Sequence, residues 1–196
     1  MLFTQNVRNL GNVMSDPRKI VLHAGCGSVV LPEVRFPAAA WREIRLDIDA
    51  GHRPHVVGSL TDMSGIASGS VDAVYSSHNL EHLHAYEVPI AMREFLRVLR
   101  PGGVAVIVVP DLQMAGELLA ADRGEATLWY SEGEPLTAMD MIYGHAKPIA
   151  AGNLYQMHKT GFTASSLGRA LKQAGFGAGQ VARGNWQIHY EAPKPT

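Results

Sequence analysis

Two glycines separated by one residue, Gly25 and Gly27, follow a short apolar run at residues 19–24. Such a run is too short for a helix and is typical of a strand buried on both faces. Because glycine has no Cβ atom, the turn can be tight and a ligand can approach the backbone closely. In doubly wound α/β folds, a strand followed by this kind of turn is where nucleotides bind.

A carboxylate follows at a suitable distance. Residues 42–49 alternate apolar and charged side chains, which predicts a second strand that contains Asp47. Nucleotide-binding folds place an acid at about this interval after the glycines, where it accepts two hydrogen bonds from the ribose hydroxyls. We interpret Asp49 as a solvated charge.

Histidines follow the fourth predicted strand, in the string His78-Asn79-Leu80-Glu81-His82. Histidine titrates near physiological pH, so His78 and His82 are candidate general bases, although His78 could instead only shape a pocket. The string also fits H-x-x-E-H, in which two histidines on one helix face bind zinc and the glutamate acts as base. Because it begins at the end of a strand and not within a long helix, we expect no metal.

Tyr143, His145 and His158 lie in a long segment that is rich in aromatic residues and methionines. Insertions of this length inside a compact domain are more often functional than idle. These three residues are therefore candidates for a substrate-binding site. The alternative for each of them is a role in structural packing only.

Strand and helix patterns alternate up to residue 111 and loosen afterwards. Strands are predicted at 19–24, 42–49, 55–58, 71–77 and 104–109, and helices at 87–100, 112–121 and 162–174. The last helix has Thr163 as N-cap and Gly175 as C-terminal stop. Residues 180–190 could add one or two strands, and residues 1–18 could form a helix that packs on the core or covers the ligand. We predict one domain over residues 1–196, with a helical insertion at about 112–160.

Composition limits the possible partners. The chain has 196 residues, 46% hydrophobic and 18% charged, with a formal net charge of -1. This suits one α/β domain and provides no overall positive field for nucleic acid or an anionic membrane. Cys26 is the single cysteine, so no intramolecular disulfide can form. With no signal-peptide or membrane-spanning pattern, we expect a cytoplasmic protein of undetermined oligomeric state.

Four segments together resemble the class I S-adenosylmethionine-dependent methyltransferases, most closely the small bacterial methyltransferase-domain type. They are residues 19–27, the LDID at 46–49, the VDAVYSSHNLEH at 71–82 and the FLRVLRPGGVAVIVVPD at 95–111. The resemblance covers about residues 19–111. It implies S-adenosylmethionine as cofactor and a doubly wound, Rossmann-like α/β sheet in the order 3-2-1-4-5-7-6, with strand 7 antiparallel.

The resemblance also implies which residues contact the cofactor. The glycine turn would hold its amino-acid end, Asp47 its ribose, Ile48 and Leu60 its adenine, and His78 would lie beside the methyl-bearing sulfonium. The implied set is Ala24, Gly25, Cys26, Gly27, Asp47, Ile48, Ser59, Leu60, Thr61, Asp62, Ser77 and His78.

Three positions depart from the family pattern. His23 stands where members usually have an acid, and Val29 replaces the third glycine of the turn. Ser59 aligns with an acid that often binds the adenine amino group, with Asp62 nearby as a substitute.

The sequence thus predicts methyl transfer from S-adenosylmethionine to a small-molecule acceptor that it does not identify. A non-catalytic cofactor-binding or scaffolding protein of the same fold is the main alternative. A zinc-dependent hydrolase using His78, Glu81 and His82 is less favoured. A nicotinamide dehydrogenase is disfavoured because the third glycine of G-x-G-x-x-G is missing.

Overall fold

The computed structural model describes residues 16–131 and 133–196, which form a seven-stranded sheet and a separate two-stranded sheet. The first sheet has the order β3-β2-β1-β4-β5-β9-β8, which confirms the predicted order 3-2-1-4-5-7-6. Its strands are β1 (Lys19–Ala24), β2 (Trp41–Asp47), β3 (Val56–Val57), β4 (Val71–Ser77), β5 (Leu99–Pro110), β8 (Gln180–Gly184) and β9 (Gln187–Pro193).

The central strands are parallel and apolar on both faces. β4 lies between β1 and β5 and pairs in parallel with both, whereas β9 is antiparallel to β5 and to β8, as expected for strand 7. Residues 105–110 of β5 are all buried. Such continuous β-branched runs suit strands that are covered on both sides. Since β1, β2 and β4 run in parallel, their carboxyl ends meet at one edge of the sheet.

Two amphipathic helices, α1 (Val88–Val98) and α5 (Ala164–Ala174), pack on the same face of the sheet. Thr163 caps α5 by accepting a hydrogen bond from the Ser166 backbone N–H. Gly175 ends it with a left-handed φ of 105°, as predicted. On the opposite face, Phe36 packs against Tyr75 and belongs to a smaller core cluster. Residues 28–40, which connect β1 to β2, form turns only.

The segment at 112–160 differs from the expected helical insertion. It contains the helices α2 (Leu112–Ala120), α3 (Ala138–Tyr143) and α4 (Ala146–Ala150), but also a two-stranded antiparallel sheet of β6 (Thr127–Ser131) and β7 (Glu134–Thr137). The TLWYS sequence of β6 is rich in residues that favour strands. Its apolar residues pack on α2 and α3 instead of joining the main sheet.

The expected N-terminal helix or lid falls mostly on residues 1–15, which lie outside the described part of the chain. No helix among residues 16–131 and 133–196 is long and apolar enough to cross a membrane.

Asp111 joins this segment to the main sheet. It follows β5, is fully buried and caps α2, with Oδ1 accepting a hydrogen bond from the Gln113 N–H. Its Oδ2 accepts a hydrogen bond from Arg183 Nε of β8 at 2.6 Å. One carboxylate therefore connects β5, α2 and the C-terminal hairpin.

Replacing Asp111 should destabilise the fold in two separable steps. Asp111→Asn keeps a capping oxygen but loses the charge, and should lower the free energy of unfolding by about 1.5–3 kcal/mol. Asp111→Ala also removes the cap, at a further cost of about 1 kcal/mol. Urea denaturation of both variants measures the two steps. If Asp111→Asn unfolds at the same urea concentration as the original protein, the Arg183 pair makes no net contribution.

Candidate functional site

A cleft of about 640 Å³ opens at the carboxyl ends of the parallel strands. One wall consists of the turn after β1, the end of β2 and the residues that follow β3 and β4. The other consists of residues from β6, α3 and the connection from α4 to α5. Of the predicted site residues, the cleft is lined by Gly25, Cys26, Gly27, Asp47, Ile48, Ser59, Leu60, Ser77, His78, His82, His145 and His158.

Asp47 links the end of β2 to the glycine turn. It is 7% exposed, and its Oδ2 accepts a hydrogen bond from the Gly27 N–H at 2.7 Å. Its Oδ1 accepts one from the Asp49 N–H at 2.9 Å. A carboxylate has about four acceptor positions, so these two bonds fix its orientation and leave capacity for hydroxyl groups of a ligand.

Asn79, which the sequence reasoning did not select, holds the turn from the other side. Its amide nitrogen lies 3.0 Å from the Ala24 carbonyl oxygen, 3.1 Å from that of Gly25 and 2.9 Å from that of Ser77. The ends of β1 and β4 are thereby joined. An asparagine two residues after a strand is a weak signal in a sequence, because its partners Ala24 and Gly25 lie 55 and 54 residues away.

His23, which stands where family members usually have an acid, pairs with the Glu43 carboxylate on β2. His23 is buried, and its Nδ1 lies 2.7 Å from Glu43 Oε1. The same Glu43 oxygen accepts a hydrogen bond from Arg45 Nη1, and Arg45 Nη2 donates to the Gly27 carbonyl oxygen at 2.6 Å. His23 therefore belongs to a polar network with Glu43 and Arg45 that reaches the glycine turn. Burial lowers the pKa of His23, against the opposing effect of Glu43.

The other two departures lie at or beside the cleft. Val29, at the position of the third glycine, is 56% exposed, and no helix follows in residues 28–40, so its side chain meets no packed helix. Ser59 Oγ lies 2.8 Å from the hydroxyl of Thr61, and Ser59 forms an isolated β-bridge with Asp62. Ser59 and Leu60 line the cleft, whereas Ala24, Thr61 and Asp62 are not among the lining residues.

Ile48 and Leu60 give the cleft an apolar character at the end near the glycine turn. Ile48 is 53% exposed, a large value for an isoleucine in a cleft, and Leu60 lines the same cleft. Cys26 is fully buried, and burial raises the pKa of its thiol. The cleft thus combines an anchored carboxylate with open apolar surface.

A cluster of histidines surrounds a buried carboxylate on the adjoining wall. Glu81 is 1% exposed, and neither of its carboxylate oxygens has a hydrogen-bond partner among the described residues. His78 Nδ1 lies 3.3 Å from Glu81 Oε1 without hydrogen-bond alignment, and His78 has a left-handed φ of 54°. The rings of His82 and His158 pack edge to face, with centroids 4.9 Å apart.

The carboxylate and the rings affect each other's ionisation. Burial alone would raise the pKa of Glu81, but the three neighbouring histidines outweigh it, so the pKa lies below its ordinary value. Burial lowers the pKa of His158, against the opposing effect of Glu81.

The remaining two acceptor candidates occupy different environments. His145 lines the cleft, and its Nε2 is buried without a hydrogen-bond partner in the described part of the chain. Tyr143 is 63% exposed and is not among the residues that line the cleft. Trp129, Met141 and Trp186 contribute apolar surface to the same wall.

Gly25 should tolerate no side chain. It has φ of +70°, and a Cβ atom there would stand 2.1 Å from Asn79 Oδ1. Gly69 is a matched control, since it has φ of +62° but open space around the Cβ position. Both alanine variants should lose about 1–2 kcal/mol of stability from backbone strain. Gly25→Ala should lose about 1–3 kcal/mol more from overpacking. Denaturant unfolding compares the two variants, and equal losses would mean that the Asn79 contact moves aside without cost.

Comparison with known proteins agrees with this architecture. Residues 22–107 match the family model described as a methyltransferase domain. No curated relative matches the chain by sequence.

Solved structures share the fold at low identity. One is Burkholderia thailandensis 1,6-didemethyltoxoflavin-N1-methyltransferase, solved with 1,6-didemethyltoxoflavin and S-adenosylhomocysteine. It is 18% identical, with a TM-score of 0.57 over 91% of this chain and 72% of that chain. Human N-acetylserotonin methyltransferase in complex with S-adenosylmethionine is 16% identical, with a TM-score of 0.57 over 91% and 48%. An O-methyltransferase family protein from Burkholderia thailandensis is 12% identical, with a TM-score of 0.59 over 91% and 51%. The present chain thus spans about half the length of the last two.

The sheet order and the match of residues 22–107, a little under half of the chain, to the methyltransferase-domain model support a class I S-adenosylmethionine-dependent methyltransferase domain. The methyl donor of this family is S-adenosylmethionine. The zinc-hydrolase alternative is not supported, because residues 78–82 do not form a helix that could present His78 and His82 on one face. Only Leu80–His82 is helical, as a short 3-10 turn.

Proposed function

We propose that this protein transfers the methyl group of S-adenosylmethionine to a small-molecule acceptor bound between the sheet edge and the segment from β6 to α5. The observation that carries the proposal is the single cleft that Asp47 and the glycine turn share with His78, His82, His145 and His158. A carboxylate suited to a ribose and a group of imidazoles thus face the same space.

The residues of the first wall fit the cofactor. The anchored Asp47 carboxylate has free acceptor capacity for the ribose hydroxyls, and the exposed Ile48 with Leu60 offers apolar surface for adenine. Around Gly27, a Cβ atom would find nothing within 4 Å, so its backbone borders open space where the amino-acid end could lie. We assign the cofactor site to these residues, with Gly25, Cys26, Ser59, Ser77 and His78 completing its lining.

When bound, S-adenosylmethionine supplies an electrophilic methyl group on a good leaving group. The protein's task is then to align the acceptor and to exclude water. Trp129, Met141 and Trp186 line the cleft with apolar surface, which would serve the second purpose. His78 or His82 would accept a proton where the acceptor atom must lose one.

The second wall, where we place the acceptor, carries a few polar side chains within an otherwise apolar lining. His145 Nε2 has no partner among the described residues, which leaves it free to hold a polar atom of the acceptor, and His158 lies on the same wall. A few placed polar groups within an apolar lining are typical of small-molecule sites. The small-molecule ligand named for one structural neighbour supports the same acceptor class.

The proposal is tested by incubating the protein with labelled S-adenosylmethionine and a panel of small oxygen and nitrogen nucleophiles. Transfer of label to one class of acceptor is the expected result. Stabilisation by S-adenosylhomocysteine without transfer to any acceptor would favour the non-catalytic alternative. No thermal shift with either form of the cofactor at millimolar concentration would contradict the assignment.

Asp47→Ala should weaken S-adenosylhomocysteine binding by at least about tenfold. A hydrogen bond to a charged group contributes about 1.5–3 kcal/mol, and each 1.4 kcal/mol is about tenfold in affinity. Asp49→Ala is the matched control, because Asp49 is an exposed carboxylate at the edge of the same cleft whose Oδ1 accepts a hydrogen bond from the Gly51 N–H and not from the glycine turn. Calorimetry on both folded variants measures the difference, and a larger loss in Asp49→Ala would move the ribose site to that carboxylate.

His145→Ala should reduce turnover by about tenfold or more through lost alignment of the acceptor, while cofactor affinity stays within a few-fold. Tyr143→Ala should keep turnover within a few-fold, because Tyr143 lies outside the lining of the cleft. Steady-state rates with the identified acceptor, together with calorimetry for the cofactor, distinguish the two variants. Equal turnover in both would assign the α3–α4 region to packing.

A further inference from the structure

We propose that Glu81, His82 and His158 form a binding site for a divalent transition-metal ion such as Zn²⁺ at the wall of the cleft. The donor atoms of these three side chains all lie within 4.8 Å of one another. This set differs from the H-x-x-E-H pattern of the sequence, since it omits His78 and includes a histidine 76 residues further along the chain. His158 also lies outside the segment that matches the methyltransferase family model.

The first argument is the state of Glu81. Its carboxylate is buried, and both oxygens lack hydrogen-bond partners among the described residues. A buried charge is strongly unfavourable unless it is paired or coordinates a metal. His78 Nδ1 lies 3.3 Å from Oε1, close enough for an ion pair when the ring is protonated but not aligned for a hydrogen bond, and no described residue makes a hydrogen bond to Oε2. A cation at Glu81 would supply the missing partner.

The second argument is the orientation of the two rings. His82 Nδ1 lies 3.1 Å from the Met157 carbonyl oxygen, and His158 Nδ1 lies 2.9 Å from that of Met141. A carbonyl oxygen can only accept, so each Nδ1 carries the proton and each Nε2 keeps its lone pair. Metal-binding histidines show this arrangement, in which a backbone carbonyl fixes the tautomer and orients the ring.

The third argument is the rigidity of the framework. The Glu81 backbone oxygen accepts hydrogen bonds from the N–H groups of Lys159 at 2.8 Å and Thr160 at 3.1 Å. These bonds hold the segment at 157–160 against the turn at 80–82. Gly144, paired with Met157 in an isolated bridge, supports this segment from its other side. Backbone hydrogen bonds thus hold His82 and His158 next to the Glu81 carboxylate.

The donor set indicates the kind of ion. Two imidazoles and one carboxylate favour zinc, iron, cobalt or nickel over magnesium and calcium, which prefer oxygen ligands. Zinc–nitrogen bonds are about 2.0–2.1 Å, so neighbouring donors in a tetrahedral site stand about 3.3 Å apart. Side-chain rotations that bring the most distant donor atoms closer by at most about 1.5 Å would close the cluster. His82 and His158 line the cleft, so the remaining coordination position would face it.

The test is metal binding by tag-free protein that has been treated with chelator and dialysed. Calorimetry with ZnCl₂ should give one site per chain, and CoCl₂ should produce visible absorption bands from nitrogen and oxygen coordination. Glu81→Gln and His158→Gln should each weaken Zn²⁺ binding by at least about 100-fold, since even loss of an outer-shell partner costs about 10–100-fold. His84→Gln is the matched control, because His84 is exposed and stacks on Tyr86 outside the cluster.

The folding of each variant is verified by its circular dichroism and by its affinity for S-adenosylhomocysteine. That affinity also keeps this proposal separate from the proposed function, since either can fail alone. The proposal is overturned if the original protein binds no stoichiometric Zn²⁺. It is also overturned if folded Glu81→Gln and His158→Gln bind Zn²⁺ as tightly as His84→Gln does.

Discussion

The bond between the Asp47 carboxylate and the Gly27 N–H sets the geometry on which the rest of the site depends. It joins the end of β2 to the turn after β1 and orients the acid at the edge of the sheet. Asn79 ties the same turn to β4, and Arg45 holds it by the Gly27 carbonyl oxygen. A turn that contains two glycines can adopt many conformations. Hydrogen bonds from Asp47, Asn79 and Arg45 select one of these conformations.

The polar network behind the turn shows how a buried histidine is accommodated on β1. Position 23, where the family pattern has an acid, carries a histidine that pairs with Glu43 on the adjacent strand. Because β1 and β2 are parallel, Glu43 lies two residues from the position that pairs with His23 in the register. His23 pairs with Arg45 in that register, and Glu43 bridges the two side chains.

The second wall of the cleft is built around the buried Glu81 carboxylate, whose removal from water costs free energy. Its backbone is used to dock the segment at 157–160, while its side chain points among imidazoles. The docked segment brings His158 into contact with His82, and Asp111 holds the start of the segment that leads there. The second wall is therefore stabilised by a small number of polar anchors and by the apolar packing of α2 and α3 against the β6–β7 hairpin.

The sequence by itself determined the main sheet and the first wall of the cleft. Apolar runs at 19–24, 71–77 and 104–109 predict buried strands, and parallel strands bring Gly25, Asp47 and His78 to one edge. These signals are local or follow from a fixed order of strands. Asn79, Glu43 and Arg45 were missed because their roles depend on register between strands. Only the tertiary structure decided that Tyr143 points away, that a β-hairpin interrupts the helices, and that His158 meets Glu81. Those outcomes depend on packing between segments that are far apart in the sequence. The spacing of apolar residues predicts single strands and helices but not how such segments pack.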